Sequence, residues 1–149
     1  PGPPEYPGIG CVNFALYEGA LSYGATCHHI APVVDSGEIV SVVRFPVLET
    51  ETVWTVTMRT YAAMFSMFAD LAPLVIGGSE LPRCELYWTR KAFRRRQLDD
   101  LCKLTPEMSD EEVSRRIRAT AYPGAPGAYY EIGGKRFQHS AACSGAGLE

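Results

Sequence analysis

The side chains best suited to chemistry lie in the run Thr26-Cys27-His28-His29, which Asp35 follows shortly afterwards. A histidine near a carboxylate can take up and release a proton near neutral pH, as a transfer to an amine nucleophile requires. The run is predicted to be a strand, on which side chains alternate faces, so at most one of the two histidines serves a given site. His28 shares its face with Thr26 and Ile30, and it is the candidate partner of Asp35.

Asp35 begins the turn Asp35-Ser36-Gly37 after this strand. Loops at the ends of strands often carry catalytic residues, so Asp35 and His28 are candidate catalytic residues. A plainer alternative stays open: His28 is a core histidine satisfied by hydrogen bonds, and Asp35 only forms the turn. No metal site is expected, because adjacent ligands on a strand diverge and no fourth ligand follows at a zinc-like spacing.

The first half of the chain is predicted to contain a proline-rich loop, a short helix, two hairpin strands and a long helix. The loop covers residues 1–10, the short helix covers 9–18, the two strands cover 25–30 and 38–47, and the long helix covers 52–71. The long helix carries large side chains at steps of three and four, and Pro73 is expected to close it. Because its large residues also occupy neighbouring positions, we expect it to be buried over a wide arc against a sheet, with its aromatic and methionine stripe in the core.

The second half, after Gly77-Gly78, is more polar. A short strand is predicted over residues 84–88, and a second hairpin is predicted from residues 129–132 and 135–138. Ser109 lies three residues before Glu112, the spacing at which two side chains cap a helix start reciprocally, so a helix is predicted from there to about Thr120. The run Arg94-Arg95-Arg96 is expected to be a solvated face.

Composition limits the classes of function. The 149 residues are 46% apolar and 21% charged, with a net charge of −3, and no apolar run approaches the ~20 residues that a membrane span needs. The negative charge disfavours DNA or a large RNA as partner, so tRNA is not expected. The five cysteines are odd in number and include no C-x-x-C pair, which favours reduced thiols and a cytoplasmic location.

Residues 1–40 carry a further series of motifs. A loop, a glycine-containing stretch, a histidine and a turn occur in the order and with the gaps of one enzyme family, the folate-dependent formyltransferases, which the chain resembles. The matching residues are Pro1-Gly2-Pro3-Pro4 with Tyr6-Pro7-Gly8, then Glu18-Gly19, Gly24 and Thr26, then His28 as the histidine of T-x-H, and Asp35-x-Gly37 as D-x-G. The family includes glycinamide ribonucleotide, methionyl-tRNA and sugar-nucleotide formyltransferases.

The resemblance implies an α/β fold, namely the second half of a formyltransferase-like core, with hairpin strands packed on a long helix, followed by a small α+β extension. It implies 10-formyltetrahydrofolate as co-substrate. It also implies that Asp35 and His28 are catalytic and that Gly37, Pro3 and Tyr6 contribute to cofactor binding.

The family's catalytic trio is an Asn, a His and an Asp around the formyl carbon. Asp35 matches the Asp, whereas the Asn and the His belong to an N-x-H-P element whose proline matches Pro1, so both are expected to be absent from this chain. His28 does not replace the missing His of this trio, since it matches a separate position of the family pattern. The isolated chain is therefore expected to be inactive, and a folded remnant that acts as a binding or self-association module is the alternative.

The chain is expected to divide into residues 1–78, the core portion, residues 79–140, a small α+β extension, and residues 141–149, a disordered tail or residues left by cloning. Residues 115–120 with Pro123 resemble the R-x-I-R-A-x-x-x-P segment of methionyl-tRNA and sugar formyltransferases. A small amine acceptor such as an amino sugar nucleotide is the preferred substrate, and methionyl-tRNA is the alternative. Loss of half a sheet is expected to expose an apolar edge, so a homo-oligomer is also expected.

Overall fold

Nine helices and strands are present in residues 2–138, the part of the chain that the computed structural model describes. Pro1 and the expected tail at residues 141–149 lie outside the described residues. In chain order the elements are α1 (Cys11–Tyr17), β1 (Ser22–His28), β2 (Ile39–Pro46), α2 (Val53–Ile76), α3 (Arg95–Cys102), β3 (Lys103–Leu104), α4 (Asp110–Thr120), β4 (Tyr129–Ile132) and β5 (Lys135–Gln138).

The predicted hairpin is confirmed: β1 and β2 pair antiparallel from Ser22 opposite Pro46 onwards. Cys27 pairs with Ser41 and His28 with Ile39, so β2 has one extra residue opposite this step, which is the irregularity of a β-bulge. Tyr23 points inward and is only 1% exposed. The hairpin thus presents one apolar face to the core and carries the candidate histidine at its irregular end.

In residues 2–138, a hydrophobic core joins the loop before α1 to the helices α1, α2, α3 and α4 and to β1. It combines residues from both sides of position 78, so the polar second half contributes to the same core as the first. The buried members are Tyr6, Phe14, Ala15, Leu16, Tyr23, Val53, Val56, Leu101 and Ala119. This packing fixes the loop at residues 2–8 against β1.

The long helix α2 begins as predicted but is not buried as predicted. Thr52 and Thr55 cap its start reciprocally, and Val56 is fully buried. The expectation of a core stripe is wrong for the middle of the helix, since Phe65 is 74% and Phe68 68% exposed. The physical reason is that the sheet beside this helix has only two strands, and the elements that contact the helix (β1, β2, α1 and α4) leave these rings uncovered.

Pro73 does not close α2, which continues to Ile76. A proline near the end of a helix removes one donor without preventing a further turn, and the chain leaves the helix at Gly77-Gly78 instead. Gly77 donates its backbone N–H to the Pro73 carbonyl at 2.9 Å, and Gly78 has a φ of 67°, a conformation that glycine adopts without strain.

Two predictions for the second half are confirmed and one is wrong. Helix α4 starts after Ser109, whose hydroxyl accepts from the Glu112 N–H at 3.3 Å, and β4 and β5 form the predicted hairpin around Gly133-Gly134. Residues 84–88 are not a strand; their backbone groups bond to other segments singly rather than in a ladder. The two-residue strand β3, parallel to β4, was not predicted.

Within residues 2–138, no helix combines the length and the apolar character that crossing a membrane would need.

Glu112 connects α4 to α1 rather than completing a reciprocal cap. Its carboxylate accepts hydrogen bonds from Arg115, from Arg116 Nε at 2.6 Å and from the Tyr17 hydroxyl at 2.8 Å. These bonds, first that of Arg115 and then that of Arg116, lower the pKa of Glu112 to about 2. The charged carboxylate is therefore the form that stabilises the folded chain.

Replacing Glu112 with Gln is expected to lower the free energy of unfolding by about 1–2 kcal/mol near neutral pH. A depressed pKa contributes stability above the unfolded value of 4.5, and this contribution is lost as the pH falls toward 2. Urea unfolding across this range should therefore show the difference between wild type and variant shrinking on acidification. Glu111→Gln, at the exposed neighbouring position, is the control; an equal loss in both variants would contradict the role of Glu112.

The exposed side chains Phe65 and Phe68 on α2 are expected to cause reversible self-association, because a contiguous aromatic patch on a protein surface favours burial against a second copy. Light scattering over a concentration series should show a mass that rises with concentration. The double replacement of both residues with Ser should flatten this dependence. Tyr87→Ser, at another exposed aromatic (79% exposed), should leave it unchanged, and the same slope in all three proteins would refute the expectation.

Candidate active site

Asp35 occupies a strained backbone position that is held by a hydrogen bond. Its φ is 48°, and among the residues that the structure describes it is the sole non-glycine residue with a positive φ. The left-handed region is tolerated by Asp at a cost of about 1 kcal/mol or more. The Gly8 N–H donates to Asp35 Oδ2 at 2.6 Å, so the loop at residues 2–8 stabilises the turn that carries the carboxylate.

His28 faces Asp35 at the end of β1. Its Nε2 lies 3.6 Å from Asp35 Oδ1, and the two side chains are 15% and 12% exposed. His28 Nδ1 lies 2.8 Å from the His29 carbonyl oxygen, which can only accept, so Nδ1 carries a hydrogen. Because 3.6 Å exceeds a direct hydrogen bond, Nε2 and the carboxylate leave room to share a water or a proton of a bound group.

Gly37 closes the turn where a side chain would not fit. A Cβ at this position would overlap the His29 carbonyl oxygen and would approach His28 Nδ1 to 3.2 Å. The Gly37 carbonyl accepts a hydrogen bond from Trp88 Nε1 at 2.8 Å. The ring of Trp88 also stands perpendicular to the His28 ring, with the two centroids 5.1 Å apart. Trp88 therefore contacts both the Asp35 turn and the His28 ring.

The loop at residues 2–8 is docked tightly on β1. The Gly2 carbonyl accepts from the Thr26 hydroxyl at 2.8 Å, and a Cβ on Gly2 would overlap the Tyr23 hydroxyl. Pro3 is fully buried, and its carbonyl accepts from the Tyr6 N–H at 2.8 Å. Pro3 and Tyr6 therefore shape the loop from within.

Tyr6 lies in a charged surrounding despite its burial. Burial, followed by the nearby Glu18 carboxylate, raises the pKa of Tyr6 to about 12, so its phenol stays protonated at physiological pH. The Arg90 guanidinium lies 5.2 Å from the centre of the Tyr6 ring and donates twice to Glu18, at 2.7 and 3.0 Å. This cluster anchors the loop to the segment that follows α2.

Two clefts in the described part of the chain are lined by residues other than His28 and Asp35. One, of about 460 Å³, lies on the other side of the strand end and is lined by His29, Glu38, Glu80 and Arg83 among others, so the two histidines do point in different directions as predicted. The second, of about 290 Å³, is lined by residues of α1, α3, α4 and the β4–β5 hairpin. Between residues 2 and 138, no three His, Cys, Asp or Glu side chains are grouped so that they could hold a metal ion.

The sequence pattern of the formyl transferase family matches residues 3–70, which include the Asp35 turn and residues 3–8 of the loop that holds it. The methionyl-tRNA formyltransferase of Geobacillus thermodenitrificans is 29% identical over 79 residues, which are 53% of this chain and 25% of that protein. The chain thus corresponds to about a quarter of the length of this curated relative.

Solved formyltransferases share the fold of nearly the whole chain. A sugar N-formyltransferase from a Shewanella species aligns with a TM-score of 0.78 at 21% identity, covering 91% of this chain and 56% of its own. An N-formyltransferase from Helicobacter canadensis, solved with folinic acid and dTDP-3-aminofucose, aligns with a TM-score of 0.69 at 18% identity, covering 89% and 49%. The expected α/β formyltransferase-like fold is therefore confirmed.

Two residues that contact the Asp35 turn were not recognised from sequence. Gly8 was assigned to the loop, but nothing in its neighbours indicated that its N–H reaches a carboxylate 27 positions away. Trp88 was assigned to a strand that does not form. The one available signal was the residue type, because the indole N–H of a buried tryptophan usually has a hydrogen-bond partner.

Gly37→Ala is expected to destabilise the folded chain by about 2 kcal/mol, because the added methyl group overlaps the His29 carbonyl and must displace backbone. The Gly8 amide signal in an NMR spectrum should shift at the same time, as the Asp35 bond is disturbed. Gly127→Ala is the matched control, since its Cβ would meet its nearest neighbour at an ordinary 3.6 Å. Equal stability of the two variants would contradict the tight turn.

Proposed function

We propose that this chain supplies the carboxylate-bearing part of an active site that transfers a formyl group from 10-formyltetrahydrofolate to the amine of a small acceptor, an amino sugar nucleotide. Asp35 and His28 are the catalytic residues in this proposal, and Gly37, Pro3 and Tyr6 contribute to folate binding. The observation that carries it is the His28–Asp35 pair, whose side chains are mostly buried and whose carboxylate is held in place by the Gly8 amide.

The reaction requires one proton to move for each formyl group transferred. The amine nitrogen forms a bond to the formyl carbon, the bond from that carbon to N10 of the folate breaks, the amine loses a proton and N10 gains one. Asp35 is suited to accept the amine proton, directly or through a water. His28 Nε2, which its Nδ1–H bond to the His29 carbonyl leaves facing Asp35, is suited to share that proton.

Pro3, Tyr6 and Gly37 would contribute to folate binding by fixing the shape of the backbone next to Asp35, and none of them supplies a charged group. Pro3 and Tyr6 lie beneath the surface of the loop, so their contribution is to fix its backbone next to the carboxylate. Gly37 permits the close approach of the turn to β1. When bound, 10-formyltetrahydrofolate supplies the activated one-carbon group.

Two acceptors are supported by different observations. The Helicobacter canadensis protein, whose fold this chain shares, was solved with an amino sugar nucleotide, and this favours the small acceptor. The curated relative is a methionyl-tRNA formyltransferase, which supports methionyl-tRNA as the second candidate. The net charge of −3 gives little attraction to a tRNA backbone, so we keep the amino sugar nucleotide as the proposal.

Residues 1–78 form the catalytic portion and residues 79–140 the extension in this proposal, with a cytoplasmic location. The competing proposal is a folded module without transferase activity that binds or self-associates. The exposed aromatic face of α2 supports it. Folate binding separates the two.

Titration of the 149-residue chain with 10-formyltetrahydrofolate or its stable 5-formyl isomer is expected to show saturable binding by calorimetry. Turnover with an amino sugar nucleotide is expected to be undetectable, because two members of the family's catalytic trio have no match in this sequence. Absence of saturable binding would contradict the enzyme assignment and favour the binding module. Measured turnover would contradict the expectation that this chain lacks the Asn and the His that catalysis needs.

Asp35→Asn keeps the side-chain shape and the tolerance of a positive φ but removes the proton acceptor. In any longer polypeptide or assembly that contains this chain and transfers formyl groups, kcat should fall by about 10²- to 10⁴-fold. Asp70→Asn, at an exposed position on α2, is the control and should retain the full rate. A near-normal rate for the Asp35 variant would remove the role assigned to it.

A further inference from the structure

The segment at residues 84–93 has no helix and no multi-residue strand, yet its backbone is fixed at both ends. The Cys84 N–H donates to the Ile39 carbonyl at 3.3 Å, at the start of β2. At the other end, the Phe93 N–H donates to the Pro7 carbonyl at 2.9 Å and the Phe93 carbonyl accepts from Ile9 at 3.0 Å. The segment therefore runs from the hairpin to the loop at residues 2–8, and it lies outside the part that matches the family.

Side chains strengthen the attachment at the loop end. The ring of Phe93 stacks on that of Phe14 with the centroids 3.9 Å apart, and Thr89 donates its backbone N–H to the Pro4 carbonyl at 3.2 Å. Arg90 is held by Glu18 through two hydrogen bonds. A segment fixed at this many points has little freedom, so a side chain in its middle has a defined position.

Trp88 is that middle side chain, and it contacts both parts of the candidate site. Its indole N–H donates to the carbonyl of Gly37, two residues after Asp35. Its ring stands perpendicular to His28, at a centroid distance of 5.1 Å that suits an edge-to-face contact. One rigid side chain thus restrains the carboxylate turn and limits the rotation of the imidazole.

We propose that Trp88 is a positioning residue of the formyl-transfer site: it fixes the Asp35 turn through Gly37 and holds His28 with Nε2 toward Asp35. The catalytic importance of this role rests on the proposed function. The positioning itself is argued only from the contacts that Trp88 makes with Gly37 and His28. Without the indole N–H, the buried Gly37 carbonyl loses its side-chain donor, and a buried acceptor without a partner is unfavourable.

The second tryptophan of the chain offers a matched control. Trp54 also makes an edge-to-face contact, with Tyr122 at a centroid distance of 5.4 Å, but it belongs to α2 and has no contact with the His28–Asp35 pair. Trp88→Phe and Trp54→Phe therefore remove the same atoms, one at the site and one elsewhere. Each keeps an aromatic ring, so each is expected to fold.

The test is NMR of the full 149-residue chain in three forms: wild type, Trp88→Phe and Trp54→Phe. Long-range proton–nitrogen spectra should show His28 in a single Nδ1–H tautomer in the wild type and in Trp54→Phe. In Trp88→Phe that tautomer should give way to a mixture, and the Gly8 amide should lose the low-field shift that its bond to Asp35 produces. Amide hydrogen exchange of the β1–β2 pairs should stay the same in all three proteins.

An unchanged His28 tautomer and Gly8 amide shift in Trp88→Phe would overturn the positioning role. If the hairpin amides of Trp88→Phe exchange faster as well, Trp88→Tyr is measured next; a hairpin of normal stability with a single His28 tautomer there also overturns the role. These readouts do not depend on substrate. A failure of folate binding with the NMR result as expected therefore counts against the proposed function alone.

Discussion

The hydrogen bond from the Gly8 amide to Asp35 joins the two segments on which the candidate site depends. It connects a proline-rich loop to a turn 27 residues further along the chain, at 2.6 Å. A backbone donor to a carboxylate is among the stronger neutral-to-charged hydrogen bonds in proteins. It offsets the cost of the left-handed conformation of Asp35. The core around Tyr23, the tight packing of Gly2 and the attachment of residues 84–93 all keep this loop where that bond can form.

Much of the fold could be predicted because the signals are local. Alternating apolar residues around the turn at residues 35–37 gave the hairpin, the capping residue Ser109 gave the start of α4, and Gly133-Gly134 gave the last hairpin. The order of motifs in residues 1–40 gave the family, which the match over residues 3–70 confirms. The neighbourhood of His28 and Asp35 followed from strand alternation and from a turn that returns the chain.

The remaining features depend on contacts between distant segments, which periodicity does not encode. The spacing of Phe65 and Phe68 is that of a buried helix face, but the sheet beside α2 has only two strands and these rings are exposed. Trp88 lies in a segment without helix or strand, so neither propensity nor period shows that it reaches Gly37. Similarly, the pairing of Glu112 with Arg115 and Arg116 replaces the reciprocal cap that its spacing from Ser109 suggests.

The bulge between Cys27 and His28 has a consequence for how the hairpin can change. Since side-chain orientation on a strand has a period of two, shortening β1 by one residue ahead of the bulge would exchange the directions of the two adjacent imidazoles. His29, which now lines the cleft beside Glu38, would then turn toward Asp35. The hairpin therefore contains a second imidazole one register step away from the carboxylate.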